Sequence, residues 1–142
     1  MKTMATRLMI AVAAVAAVAT CASAQTYKAD IPMAFRVGST LLAPGSYDFV
    51  LNLTYSSNPA VLIRSHNGKQ SVMVLPMSTA DAPKVWRAGG KPKIAFACAG
   101  RNCALTSLYR GTGIGAYQFR THKLPAAEAD RASVTLPLTR VD

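Results

Sequence analysis

The chain has 142 residues, 51% of them hydrophobic, and a formal net charge of +10. The apolar excess lies in residues 1–24, and the other 118 residues have the composition of an ordinary globular domain. All aromatic residues follow position 24, and three cysteines are too few for a disulfide-dense miniprotein. These figures exclude a disordered chain and leave room for a single folded domain.

Residues 1–24 are predicted to be a cleaved signal peptide. Two basic residues precede an unbroken apolar run over 8–19. A short run of small residues follows and ends at Ala24, directly before Gln25. This order is typical of a secretory signal that is cut between Ala24 and Gln25. A retained N-terminal anchor and lipidation at Cys21 are the alternatives.

Residues 25–142 are therefore expected in the bacterial periplasm or outside the cell. No second apolar run of about 18 residues follows, so this part is predicted to have no transmembrane span. It keeps 14 of the 16 basic residues and all 6 acidic ones, a net charge of +8. That charge favours anionic partners such as lipopolysaccharide or acidic polysaccharide, whereas nucleic acid is not expected. The alternative is that the charge serves solubility alone.

Alternating apolar and polar residues predict short strands through most of the exported part. The runs lie at 31–37, 47–53, 61–65, 71–75, 94–98, 103–109, 117–119 and 134–138. About eight short strands separated by turns predict an all-β fold, a single small antiparallel β-sandwich or barrel. Asn67-Gly68 marks a hairpin between two of these strands.

Two other segments complete the predicted fold. Residues 77–91 are predicted to be irregular, and 125–132, which begin with a proline, are predicted to form one short helix near the C-terminus. Pro32 and Pro137 lack a backbone N–H, so we expect the first and last strands to lie at sheet edges.

Cys98 and Cys103 are predicted to form a disulfide. They are the two cysteines left after signal cleavage, in an oxidising compartment, and four small or polar residues separate them between two β-prone runs. A hairpin would bring them within the Cα separation that a disulfide tolerates.

The candidate ligand surface surrounds the only tryptophan of the chain. It consists of Lys84, Trp86, Arg87, Lys91 and Lys93. Cations bind phosphate groups while an indole stacks on a ring, which suits an anionic or amphipathic ligand. The alternative is that Trp86 caps the open end of the β core and the cations form a solvated rim.

No catalytic residue, metal or cofactor is expected. His66 and His122, with Met33, Met73 and Met77, are residue types that bind copper, but the methionines occupy core-like strand positions. Residues 111–116 match G-x-G-x-x-A, yet a strand pattern follows, so we predict a turn and no dinucleotide.

The runs 29–38 (A-D-I-P-M-A-F-R-V-G) and 42–47 (L-A-P-G-S-Y) carry a resemblance. They resemble a group of small uncharacterised secreted bacterial proteins that open with D-I-P-F-x-F-x-V-G and L-P-A-G-x-Y. The similar order continues through 62–69 and 94–96. The resemblance implies a compact all-β fold and brings no catalytic residue. Here A-P-G replaces the group's P-A-G, and the cysteine pair is a further departure.

Three hypotheses for function follow. The first is a non-catalytic binding module for an anionic or amphipathic component of the cell envelope. The second is a structural or assembly protein that associates with a protein partner through its sheet edges. The third is a hydrolase, which requires a cleft that joins His66 or His122 to an acid and a serine.

Overall fold

The computed structural model describes residues 24–52, 59–121 and 131–141, which form twelve strands and one short helix. In chain order the elements are β1 (Ala24–Ile31), β2 (Phe35–Val37), β3 (Thr40–Leu42), β4 (Gly45–Asn52), β5 (Val61–Ser65), β6 (Ser71–Val74), β7 (Ser78–Asp81), α1 (Lys84–Gly89), β8 (Lys93–Ala99), β9 (Asn102–Tyr109), β10 (Gly115–Gln118), β11 (Arg131–Pro137) and β12 (Thr139–Arg140). The all-β prediction is confirmed. The expected strand count is too low, because short strands such as β3, β7 and β12 bury little and carry no clear alternation.

The strands form two sheets. The first has the order β12-β1-β4-β5-β6, and the second has the order β11-β8-β9-β10-β7. The short β2–β3 hairpin joins the second sheet through one parallel bridge, Arg36 to Ala104, while every other pairing is antiparallel. The antiparallel prediction therefore holds for all but this single bridge among the described strands.

Both sheets bury their apolar side chains in one common cluster. Tyr47 and Phe49 enter it from β4, and Phe96 enters it from β8. The Phe35 ring from β2 lies edge-on to the Tyr47 ring at 5.1 Å and to the Phe96 ring at 5.4 Å. Tyr47 belongs to the first sheet and Phe96 to the second, so the Phe35 ring contacts a side chain from each sheet.

The prediction that the first strand forms an edge is wrong. The run 31–37 is not one strand: β1 ends at Ile31, Pro32 follows it, and β2 begins only at Phe35. β1 lies between β12 and β4, and β2 lies between β3 and β9. Because Pro32 sits in the break between strands, its missing N–H interrupts no ladder.

The prediction for the last strand is confirmed. β11, which ends at Pro137, lies at the end of the second sheet. At Leu138 the chain leaves this sheet, and it continues as β12 at the end of the first sheet. At their other ends, the first sheet finishes with β6 and the second with β7. The chain therefore passes from one sheet to the other through consecutive edge strands twice, once from β6 to β7 and once from β11 to β12.

Two further predictions need correction. The stretch 77–91 contains β7 and α1, so it is not irregular. The helix predicted over 125–132 is wrong at its end, because Ala132 belongs to β11 and pairs with Cys98. The rest of that helix lies outside the described residues, as does the signal peptide up to residue 23. The only helix among the described residues is α1.

The cysteine hairpin forms as predicted. β8 pairs with β9 over most of its length, and Cys98 stands directly opposite Cys103. Their Cα atoms lie 4.0 Å apart and their sulfurs are bonded. Both side chains are buried in the main core, so the disulfide is also a packed core element.

Candidate functional site

The residues on either side of helix α1 explain where it begins and where it ends. Pro83 precedes it, and its carbonyl oxygen accepts hydrogen bonds from the N–H groups of Trp86 and Arg87. Gly90 ends the helix in the left-handed conformation at φ 62°, and its N–H donates to the Trp86 carbonyl oxygen. Proline before a helix and glycine after it are favoured because of these two backbone requirements.

Trp86 attaches this helix to the outer face of the second sheet. It is half-buried against Ala82, Tyr109 and Ala116, and its ring centroid lies 6.3 Å from that of Tyr109. Arg87 adds a hydrogen bond from Nε to the Ala82 carbonyl oxygen at 3.1 Å. Trp86 therefore packs on a small cluster that is separate from the main core. The alternative prediction, in which Trp86 caps the open end of the β core, is not what the structure has.

The structure brings part of the candidate ligand surface together. Lys84 is the first residue of α1 and Lys91 follows the glycine that ends it, and both are exposed, whereas Arg87 is half-buried and bonded to the backbone. Lys93 belongs to β8, where it pairs with Tyr109 on one side and Pro137 on the other. The exposed cations beside Trp86 are thus Lys84 and Lys91, and Lys93 is a sheet residue.

An open pocket of about 380 Å³ lies beside Trp86 on the outer face of the second sheet. Its lining includes the polar residues Asp81, Thr106, Ser107, Gln118 and Ser133. We call it the outer-face pocket.

Sequence reasoning missed the polar lining of this pocket. Asp81 belongs to β7, which was predicted to be irregular, and Ser107 and Gln118 read as ordinary outward residues of predicted strands. The period-two pattern assigns such residues to a sheet face, but it does not give the register that places Ser107 beside Gln118.

A second group of polar residues lies at one end of the first sheet. The β3–β4 turn and the β5–β6 hairpin enclose a pocket of about 550 Å³ whose lining includes Ser46, Ser65 and His66. His66 Nδ1 lies 3.9 Å from a carboxylate oxygen of Asp48.

The serines beside His66 are not arranged as nucleophiles. The Ser46 hydroxyl donates to Asp30 and the Ser65 hydroxyl donates to the Asn67 side-chain oxygen. Neither hydroxyl is hydrogen-bonded to His66, which a serine nucleophile requires of its base. His122, the other histidine considered, lies outside the described residues.

Metal-ligating side chains do not cluster in the described part of the chain. Within 24–52, 59–121 and 131–141, no three His, Cys, Asp or Glu side chains lie close enough to share one ion. Met73 and Met77 are exposed, while Met33 is half-buried against the core.

Among the described residues, no helix has the length and apolar character needed to cross a bilayer.

Comparison with known proteins adds no relative. No family model matches the chain, and neither the curated proteins nor the solved structures contain a significant match.

Proposed function

We propose that residues 25–142 form a secreted or periplasmic, non-catalytic β domain that binds an anionic or amphipathic component of the cell envelope. Lipopolysaccharide and acidic polysaccharide are ligands of this kind. The proposal includes removal of residues 1–24 as a signal peptide, a sandwich arrangement of the two sheets, and kinship with the secreted group that the opening motif resembles.

The observation that carries the proposal is the combination at α1. Trp86 lines the outer-face pocket, and the exposed cations Lys84 and Lys91 stand at the two ends of the same helix. An indole offers apolar surface for a ring or an acyl chain, and the ammonium groups offer charge for phosphate or carboxylate. Few other ligand classes require an aromatic apolar surface and positive charges on the same short helix.

The charge balance supports the same ligand class. Exposed ion pairs contribute only about 0–1 kcal/mol each, so two lysines alone give weak, salt-sensitive attraction. Contact with Trp86 adds apolar burial that salt does not screen. We therefore expect binding to be strongest for ligands that carry both an acidic group and an apolar or ring-shaped surface.

The test is binding to purified lipopolysaccharide, measured by calorimetry at low and high salt. We expect Trp86→Ala to weaken binding about tenfold, because the indole provides the apolar contact. We expect Lys84→Ala/Lys91→Ala to weaken binding and to reduce its dependence on salt.

The matched control is Lys69→Ala/Arg120→Ala, which removes two exposed cations elsewhere on the molecule. This control should lose far less affinity than the α1 variants. Equal affinity of wild type, the Trp86 variant and the α1 lysine variant would contradict the proposal.

The second candidate function is assembly through sheet edges. The observation that favours it is a row of exposed apolar side chains at β6 and just beyond it: Met73, Leu75 and Met77. An edge strand offers unpaired N–H and C=O groups to another strand, and apolar side chains beside them favour association.

A further inference from the structure

The outer-face pocket is built on short side chains in neighbouring strands. Ala95 of β8 pairs with Ser107 of β9, and Ser107 pairs with Gln118 of β10. Ala95 and Ser107 are buried although they lie on the outer face. Short side chains leave a depression in this part of the sheet, and Trp86 of α1 stands beside it.

The polar side chains of the pocket suit a ligand that carries hydroxyl groups. Ser107 and Ser133 supply hydroxyls that both donate and accept. Gln118 directs its Nε2 toward the Ala116 carbonyl oxygen at 3.3 Å, which leaves its Oε1 as an acceptor. A set of mixed donors and acceptors within one small pocket matches a ligand that carries several hydroxyls.

The electrostatics of the pocket argue against an acidic group inside it. None of its lining residues is a lysine or an arginine. Its one acidic lining residue, Asp81, pairs with Gly115, so its side chain is on the opposite face of the sheet from Ala80 and Ala116. A carboxylate or phosphate buried in the pocket would therefore have no positive charge beside it to offset its desolvation. Lys84 and Lys91 lie outside the lining, so an acidic substituent of the ligand would lie on the surface of the helix.

The size of the pocket fits a small ring. Its volume of about 380 Å³ is near the lower end of the usual range for small-molecule sites, roughly 300–1,000 Å³. Such sites combine an apolar or aromatic wall with a few convergent polar groups. The indole of Trp86 is the aromatic wall here.

We propose that the outer-face pocket binds an uncharged sugar ring of a glycan. The C–H face of the ring lies against Trp86, and its hydroxyls bond to Gln118 and the serines. This assignment rests on the proposed function, because it names the part of an envelope ligand that enters this surface. Acidic groups on the same glycan would lie at Lys84 and Lys91.

The experiment uses Trp86 as its own reporter, since it is the only tryptophan of the chain. Its fluorescence is recorded during titration with dephosphorylated polysaccharide released from lipopolysaccharide, and with the neutral hexamers of maltose, cellobiose and chitin type. Choline serves as an organic cation, because it too would be attracted by the indole of Trp86. We expect a saturable change with at least one neutral saccharide and none with choline.

Variants of the pocket test the assignment of its polar groups. Ser107→Ala and Gln118→Leu should each weaken saccharide binding about tenfold, because each removes a hydrogen-bonding side chain. High salt should change the affinity little, since the ligand is uncharged. The matched controls are Ser78→Ala, opposite Gln118 on β7, and Thr135→Ala, opposite Ala95 on β11, both outside the lining.

The outcomes separate this inference from the proposed function. If the Trp86 and lysine variants lose lipopolysaccharide but no neutral saccharide changes the fluorescence, the sugar pocket is wrong and the envelope ligand stands. If saccharide binding depends on Gln118 while lipopolysaccharide binding is unchanged by the Lys84 and Lys91 substitutions, the pocket stands and the anionic ligand is wrong. A response to choline alone, or full affinity in Ser107→Ala and Gln118→Leu, overturns the assignment.

Discussion

Tyr47 shows at the scale of one residue how burial and hydrogen bonding combine. Its ring lies in the main core, and its hydroxyl donates to the Ala43 carbonyl oxygen and lies 3.2 Å from Oε1 of Gln70. The same Gln70 oxygen accepts the Ala43 N–H at 3.2 Å. Tyr47 and Gln70 therefore tie the β3–β4 turn to the β5–β6 hairpin.

This environment makes the stability of the protein sensitive to alkaline pH. Burial raises the pKa of the Tyr47 phenol above its ordinary value of 10.0. The unfolded chain ionises first as the pH rises, so the stabilisation is complete below about pH 10 and is lost above it. We expect the free energy of unfolding to fall more steeply from about pH 9 to 11 in wild type than in Tyr47→Phe, measured by urea titration.

At neutral pH the phenylalanine variant should be less stable by about 1 kcal/mol, because it lacks the hydroxyl hydrogen bond. Its other titrating groups are unchanged, so it provides the baseline for the alkaline slope. Identical slopes in the two proteins would show that Tyr47 does not contribute to the alkaline loss.

At the scale of the element, the β8–β9 hairpin is the most strongly constrained part of the second sheet. Cys98 and Cys103 lie opposite each other near its tip, and both are buried. A disulfide that closes so short a loop restricts the unfolded chain only modestly. We expect Cys98→Ala/Cys103→Ala to lower the free energy of unfolding by about 2 kcal/mol, measured by urea unfolding.

Reduction of the wild type provides the control for this prediction. A thiol reductant should lower the wild-type unfolding midpoint toward that of the double variant and leave the variant unchanged. An unchanged midpoint in the oxidised double variant would contradict the expected contribution.

The β5–β6 hairpin shows what turn chemistry can and cannot predict. Asn67-Gly68 correctly marks its position, but the Gly68 N–H bonds to the Ser65 carbonyl oxygen and Ser65 pairs with Gln70. The loop is thus longer than the two-residue turn that Asn-Gly favours. Side chains fix this longer loop, since the Ser65 hydroxyl accepts the Gln70 N–H and the Asn67 oxygen accepts the Lys69 N–H.

The position of β7 illustrates why part of the site was not predicted. All four residues of β7 are exposed, so no alternation reveals the strand. It is held by pairing with β10, where a Cβ on Gly115 would lie 2.7 Å from Cγ2 of Thr79. The sequence predicts Trp86 and its cations as a candidate surface, but the pocket beside them depends on strand order and register, which are long-range properties.

At the scale of the whole molecule, the exposed edges decide whether the protein stays monomeric. Met73, Leu75 and Met77 have exposed fractions of 66%, 68% and 57%, at the point where the chain passes from β6 to β7. β6 and β7 are the terminal strands of the two sheets, so this apolar row lies beside two sheet edges. Natural edges are usually protected by charge, which repels a second strand.

If the edges associate, Met73→Lys/Leu75→Lys should shift the protein toward monomer, measured by analytical ultracentrifugation over a range of concentrations. Val85→Lys/Ile114→Lys places the same two charges at two other exposed apolar positions and should leave the association unchanged. A wild type that remains monomeric at high concentration would rule out assembly through this edge by the protein itself.

The pairing of β1 with β12 has a consequence for the order of events during synthesis. Tyr27 stands opposite Arg140 and Lys28 opposite Thr139, so β1 pairs with a strand that is far from it in sequence. This ladder cannot form on a ribosome until the chain has been made through Arg140, after every other strand of the first sheet. Contacts so distant in sequence also slow folding, because a long loop must close before they contribute stability. The first sheet therefore acquires β12 only after β1, β4, β5 and β6 have all been synthesised.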